Sequence, residues 1–208
     1  MQRPLEDSIV KFIEEAIQKA EAEQSKLTSQ AFEAPGFTSP KIRHLLNNLG
    51  ELPGSHYLEV GVHKGATFVA TNFKNKLLSS IAVDNWSEFS QDGETKKEFI
   101  KYTSSLLAPN SYKFYEQDCF SLTKEELPKP VNFFLYDGCH SYESQLKALT
   151  YFYPLLDDTF LFLVDDWNWP DPQRGTRQAI QELNLKTLFE KELDQGWWNG
   201  LFISLLKK

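Results

Sequence analysis

The sequence predicts an α/β fold: a doubly wound, mostly parallel sheet with helices on both faces. Three observations carry that expectation. From residue 56 onward, strand-like runs alternate with helical segments five times, the pattern of successive βα units. The runs "VNFFL" and "TFLFLV" are almost continuously apolar, as strands covered on both sides require. The chain closes on two strand-like segments, "LKTLFEKEL" and "WWNGLFISLLKK", joined at "DQG", so a seven-strand sheet acquires an antiparallel edge strand.

Taken in order, the elements begin with a helix over residues 5–24. Ile9, Phe12, Ile13, Ala16, Ile17 and Ala20 recur there at helical spacing, with Glu and Lys between them. "TSQAFEAPGFTSP" is a loop by its Pro, Gly, Ser and Thr content, and Ser39-Pro40 starts a second helix over 40–49 that Gly50 ends. Then come strand "HYLEVGV", helix 66–78, strand "SSIAVDNW", helix 94–107 and strand "YKFYEQD", with a short helical turn near 123. Strand "VNFFLYD", helix 142–155, strand "TFLFLVDD" and helix 174–184 lead into the closing pair. This divides the chain into an N-terminal helical extension, 1–50, and a main α/β domain, 51–208.

Composition narrows the function class. A chain of 208 residues holds one large α/β domain, and two domains would be cramped. A hydrophobic fraction of 41% excludes wholesale disorder. Acidic residues exceed basic ones by 29 − 22 = 7, which argues against a nucleic-acid surface and leaves small molecules as partners. The two cysteines, Cys119 and Cys139, make no disulfide framework and suit a reducing cytoplasm. The N-terminus lacks a signal-peptide pattern, and no apolar run reaches about 18 residues, so no membrane span is expected. A homodimer is left open.

The chemistry-bearing residues fall at strand ends. "YLEVGVHKGAT" places Glu59, Gly61 and Gly65 in an E-x-G-x-x-x-G pattern, suited to a tight turn and to close approach of a ligand at a helix start. A tight turn without a ligand is the alternative. A dinucleotide loop would carry a glycine where His63 stands, and Glu59 would repel a pyrophosphate. The next strand ends at Asp84, where an acid can accept both hydroxyls of a ribose, and the third at Asp118, within reach of an adenine amino group. With these acids in succession, residues 55–208 resemble the class I S-adenosylmethionine-dependent methyltransferases, a Rossmann-like fold. The resemblance implies that Glu59, Gly61 and Gly65 surround the methionine part of the cofactor, Asp84 the ribose and Asp118 the adenine, with Trp86 and Phe120 flanking the ring.

Strand four ends at Asp137 and strand five at Asp165-Asp166. If the two strands are neighbours, three carboxylates converge, and a hard cation such as Mg²⁺, Ca²⁺ or Mn²⁺ would relieve their repulsion. Caps facing water are the alternative. The segment from "YDGCHSYES" to "WNWPDPQRGTRQAI" resembles the macrocin-type sugar O-methyltransferases, and more loosely the catechol O-methyltransferase group. That resemblance implies Asp137, Asp165 and Asp166 as metal ligands, and a small acceptor with adjacent hydroxyls, sugar or catechol-like. The group's pattern reads Asp-Gly-Asp, whereas Cys139 stands at the second acid here. His140 follows as candidate base, or else as a cap on the next helix. Cys139 itself reads as a small buried residue, and Tyr142 as packing. "WNWP" could wall the acceptor, "WW" at 197–198 pack the last strands, and Arg174 receive an anionic acceptor. The N-terminal extension would cover the site or form a dimer contact. Two rival readings stand: a nicotinamide-dependent oxidoreductase, disfavoured by His63 and Glu59, and a non-catalytic cofactor-binding module, kept open by Cys139.

Overall fold

A computed structural model describes residues 6–89, 93–127 and 130–208. The expected helix start at residue 5 lies outside the described residues. Helix α1 runs Glu6–Glu21 and buries Ile13, Ala16, Ile17 and Ala20, the stripe that the sequence spacing marks out. A short 3₁₀ turn over Ser29–Glu33 lies inside the expected loop. Helix α2, Pro40–Leu49, starts on Ser39, whose side chain accepts the Ile42 N–H, and its C-cap is Gly50.

The α/β part contains β1 (His56–Val60), α3 (Ala66–Asn72), β2 (Ser79–Asp84), α4 (Glu94–Leu106) and β3 (Lys113–Glu116). It continues with β4 (Val131–Tyr136), α5 (Tyr142–Phe152), β5 (Leu156–Asp165), α6 (Pro170–Glu182), β6 (Lys186–Leu193) and β7 (Leu201–Lys207). The seven strands form one sheet in the order β3-β2-β1-β4-β5-β7-β6. Strands β1 to β5 pair in parallel, while β7 lies antiparallel between β5 and β6. The antiparallel step at this edge is therefore β7, inserted inside β6. Strand order reverses between β1 and β4, and ligands of open α/β sheets enter at such a switch point, beyond the carboxyl ends of the strands.

Strand alternation divides the core. Tyr57, Ala82, Phe133, Leu135, Leu161, Leu163 and Ile203 face one side, where Ile13, Ile42, Leu45, Phe68 and Phe99 of the helices meet them. Leu58, Val60, Val83, Phe134, Phe162 and Phe202 face the other, against Ala148, Leu149, Phe152 and Ala179. Helices α1 and α2 thus share an apolar core with the sheet, on either side of the division expected at residue 50.

Several boundaries differ from expectation: α1 ends at Glu21 rather than 24, and β5 begins at Leu156 rather than Thr159. Helix α3 stops at Asn72 rather than 78, because its last carbonyls are taken from outside: Asn47 donates to Ala70 O and Phe73 O, and Asn75 to Thr71 O. Helix α5 ends at Phe152, and Tyr153–Leu155 tightens into a 3₁₀ turn around Pro154. Helix α6 starts at Pro170, four residues before expectation, with proline in its first turn.

Candidate functional site

Register decides which residues meet at the carboxyl edge. Val60 pairs with Val83 and with Tyr136, and Tyr136 with Val164. One residue beyond stand Gly61, Asp84, Asp137 and Asp165. Three carboxylates and a glycine therefore form one row across β2, β1, β4 and β5. Two further bonds carry the ladder to that level, Gly61 N–H to Val83 O and Asp137 N–H to Val60 O, both 2.9 Å. The glycine is obligatory: its φ is +85°, and an added Cβ would stand 1.9 Å from the Asp137 carbonyl oxygen. Gly61 thus gives room first to the neighbouring strand.

Above this row opens a cavity of about 540 Å³, within the size range of ligand sites. Its wall includes Gly61, Asp84, Asp118, Phe120, Asp137, His140, Asp165 and Asp166. Asp84 ties its own loop to the turn after β1, accepting the Trp86 N–H at 2.7 Å and the His63 N–H at 2.8 Å. Asp118 accepts the Phe120 N–H at 2.9 Å in a short 3₁₀ turn over Cys119–Ser121, where a turn was expected near 123.

Three predicted cofactor contacts fall outside that wall. Glu59 is 0% exposed. Alternation turns it to the same face as Tyr57, one pleat below the acid row, where it accepts hydrogen bonds from the Tyr57 hydroxyl and from Thr67 Oγ1. Burial outweighs these bonds and pushes its carboxyl up to about 7. Trp86 is buried too, packed on Phe99 and Phe114, with its indole N–H donated to His63 O. Gly65 serves the turn into α3 at φ +93°, its Cβ position facing Phe99 at 3.1 Å.

At the β4–β5 end the acids gather. Burial, then the nearby Asp166, Glu59 and Asp84, hold the Asp137 carboxyl well above the usual range. Burial, then Asp137 and Asp166, do the same to Asp165. Asp165 Oδ1 and Asp166 Oδ1 are buried without a hydrogen-bond partner, and Asp166 has a left-handed backbone, φ +53°. His140 Nε2 lies 3.6 Å from Asp137 Oδ1 and 3.3 Å from Asp166 Oδ2. Its ring meets Trp169 edge to face at 5.2 Å. The cap of α5 is Ser141, which accepts the Ser144 N–H at 3.2 Å, so His140 is not needed there. Cys139 is exposed rather than buried. Arg174 pairs with Asp171 at 3.3 Å and does not line the cavity. Among the described residues, no three His, Cys, Asp or Glu side chains are arranged as a ready metal site.

Some of the wall carries no sequence signal of its own. Gly36, Phe37 and Thr38 come from the N-terminal loop, and Phe37 stacks on His63 at 5.0 Å. The cue was a phenylalanine within a Gly-, Ser- and Pro-rich loop. The "WW" pair splits: Trp197 is buried, whereas Trp198 takes φ +59° and turns into the cavity wall.

A protein-family profile described as "Methyltransferase domain" matches residues 58–167, more than half of the chain. Solved structures share the fold at low identity. One is a magnesium protoporphyrin IX methyltransferase from Synechocystis PCC 6803 with bound S-adenosylmethionine, at TM-score 0.58 and 10% identity, covering 100% of each chain. Another is an O-methyltransferase from Bacillus cereus in complex with S-adenosylhomocysteine, at TM-score 0.52 and 10% identity, covering 95% of this chain and 91% of that one. A candidate S-adenosylmethionine-dependent methyltransferase from Streptococcus mutans gives TM-score 0.60 and 11% identity over 81% of this chain, which spans 48% of that longer protein. A search of curated proteins returns no match.

Proposed function

The chain belongs to the methyltransferase-domain family, and on that premise we propose that it is an S-adenosylmethionine-dependent O-methyltransferase. Its acceptor is a small molecule with adjacent hydroxyls, sugar or catechol-like, and a divalent ion such as Mg²⁺ assists. The observation that carries the reading is the row Asp84–Gly61–Asp137–Asp165 beneath an open cavity at the switch point of the sheet.

The residues fit the cofactor. Asp84 keeps lone pairs free beyond its two backbone bonds, enough for two ribose hydroxyls. Asp118 and Phe120 line the β3 end, where an adenine would lie. Glu59 acts from beneath, through Thr67, which lines the cavity while donating to the carboxylate at 2.5 Å. The metal reading has its own support: Asp165 Oδ1 and Asp166 Oδ1 are buried acceptors with no donor, and an oxygen-only set suits a hard ion. Asp137, Asp165 and Asp166 are the residues that would hold the ion. When bound, the cofactor supplies the methyl group and a divalent ion supplies Lewis-acid polarisation of the acceptor hydroxyl.

His140 is the proposed base. Its Nε2 is buried 3.3 Å from Asp166 Oδ2 and 3.6 Å from Asp137 Oδ1 without a hydrogen bond to either, and a tautomer protonated there would leave Nδ1 to accept the proton of the acceptor hydroxyl. Trp169 holds the imidazole edge-on, and placing the acceptor oxygen in line with the methyl group is the remaining task of the wall. Residues 36–38 line the cavity, which supports a covering role for the N-terminal segment.

Titration calorimetry tests the reading. S-adenosylmethionine or S-adenosylhomocysteine should bind with micromolar affinity and NAD should not. Binding of NAD alone would favour an oxidoreductase, and no heat with either sulfur cofactor sinks the proposal.

A further inference from the structure

The cavity wall is one-sided in charge. It carries Asp84, Glu88, Asp118, Asp137, Asp165 and Asp166, and among the described residues no lysine or arginine lines it. Around it, Lys64 pairs with Glu98 at 2.8 Å, Lys96 with Glu116 and Arg174 with Asp171 at 3.3 Å, while Lys147 lies over the Phe120 ring at 4.5 Å and Lys41 over Trp197 at 5.8 Å. The start of α6 offers little compensation, because Pro170 and Pro172 lack two of the amide hydrogens that would greet an anion and Asp171 sits in the first turn.

The acceptor end adds aromatic faces to this field. Trp167 N–H donates to Gly200 O at 3.1 Å and Asn168 N–H to Asn199 O at 2.8 Å, so the segments after β5 and before β7 run on as a paired ribbon. That ribbon carries Trp169 and Trp198 into the cavity wall, 46% and 48% exposed. Large indoles left this open at a cavity mouth call for a partner, and an indole face attracts a cation. Asp165 Oδ1 and Asp166 Oδ1, both without donors, begin the same segment.

We propose that the acceptor is a cation: a hydroxylated small molecule bearing an amine, drawn in by the carboxylate wall and held at its ammonium end by Trp169 and Trp198. Acceptors bearing phosphate, carboxylate or a nucleotide are disfavoured, since the wall offers them no lysine or arginine and its six carboxylates outnumber His63 and His140. This rests on the methyltransferase reading above and names the substrate class for it.

The test uses the full-length protein saturated with S-adenosylhomocysteine and Mg²⁺, titrated with matched probes. Dopamine, 4-methylcatechol and 3,4-dihydroxyphenylacetate form one set; glucosamine, glucose and glucuronate form the other. The amine is expected to bind at least tenfold more tightly than the carboxylate in one set or both, with the neutral probe between. Trp169→Leu with Trp198→Leu should cut the preference for the amine roughly three- to tenfold, and Trp→Phe at both positions should keep most of it. Affinity for S-adenosylhomocysteine, measured first on each protein, separates the two claims: its absence in the wild type defeats the methyltransferase reading. With that affinity intact, an equal or tighter carboxylate, or no binding by either amine, overturns the cationic acceptor.

Discussion

Gly61, Glu59 and His140 show how single positions set the site. Gly61→Ala would drive a Cβ to 1.9 Å from the Asp137 carbonyl oxygen in a left-handed backbone, whereas at Gly54, also left-handed, nothing lies within 4 Å. Gly54→Ala should therefore cost only about 1–2 kcal/mol of backbone strain. Gly61→Ala should cost clearly more in chemical denaturation and weaken cofactor binding with it; equal losses would show that the β1–β4 contact yields. Glu59 gives a pH signature. Its folded pKa, about 7, lies above the ordinary value of 4.5, so the folded state holds the proton longer than the unfolded state does. Its contribution is fully present below about pH 4.5 and is lost as pH rises to about 7, roughly 3 kcal/mol in all. Glu59→Gln should flatten that part of the stability–pH curve, and an unchanged curve would assign the slope to Asp137 and Asp165, which titrate in the same direction. His140→Ala should lower turnover about 10²- to 10⁴-fold with cofactor affinity within about twofold. Near-normal turnover removes it as the base.

Between residue and fold stand the elements, and here tertiary contacts overrode local pattern. The spacing for α3 continues to residue 78, yet Asn47 of α2 takes the carbonyls of Ala70 and Phe73, and its own Oδ1 accepts the Lys26 N–H at 2.9 Å. One fully buried amide thus ties the N-terminal loop, α2 and α3 together. Asn47→Ala leaves these groups unpaired and should cost about 2–3 kcal/mol, a Tm loss of roughly 4–12 °C in a domain of this size. A melt within about 1 °C of the wild type would mean that water replaces the amide. Helix α1 was legible because its buried stripe is local. The cap on Ser39 was legible for the same reason, satisfying an amide three residues on, whereas α5 caps on Ser141 and not on His140. The 3₁₀ turn at Ser29–Glu33 was not: it is braced by Arg43, which donates to Phe32 O at 3.2 Å and Ala34 O at 2.9 Å from another element.

At the scale of the whole molecule, metal binding becomes linkage. An ion that binds only the folded state raises stability by about 2.7 kcal/mol at a hundredfold excess over Kd. Thermal melts with and without Mg²⁺ should show such a rise in the wild type and none in Asp165→Ala; an equal rise in both takes Asp165 out of the ion's coordination. The sequence by itself determined the doubly wound sheet, the closing strand pair and the placing of acids at strand tips, because these follow from apolar periodicity and from βα alternation along the chain. It did not determine which tips are neighbours. Strand order and register alone bring Asp84, Gly61, Asp137 and Asp165 into one row. Glu59 and Trp86 sit within the motifs yet outside the cavity wall, while Phe37 belongs to the wall without a motif and Trp198, expected only to pack the last strands, lines it too. The reason is physical: the side of a strand that a residue faces depends on its register with neighbours, and loops from distant parts of the chain meet only once the sheet has formed.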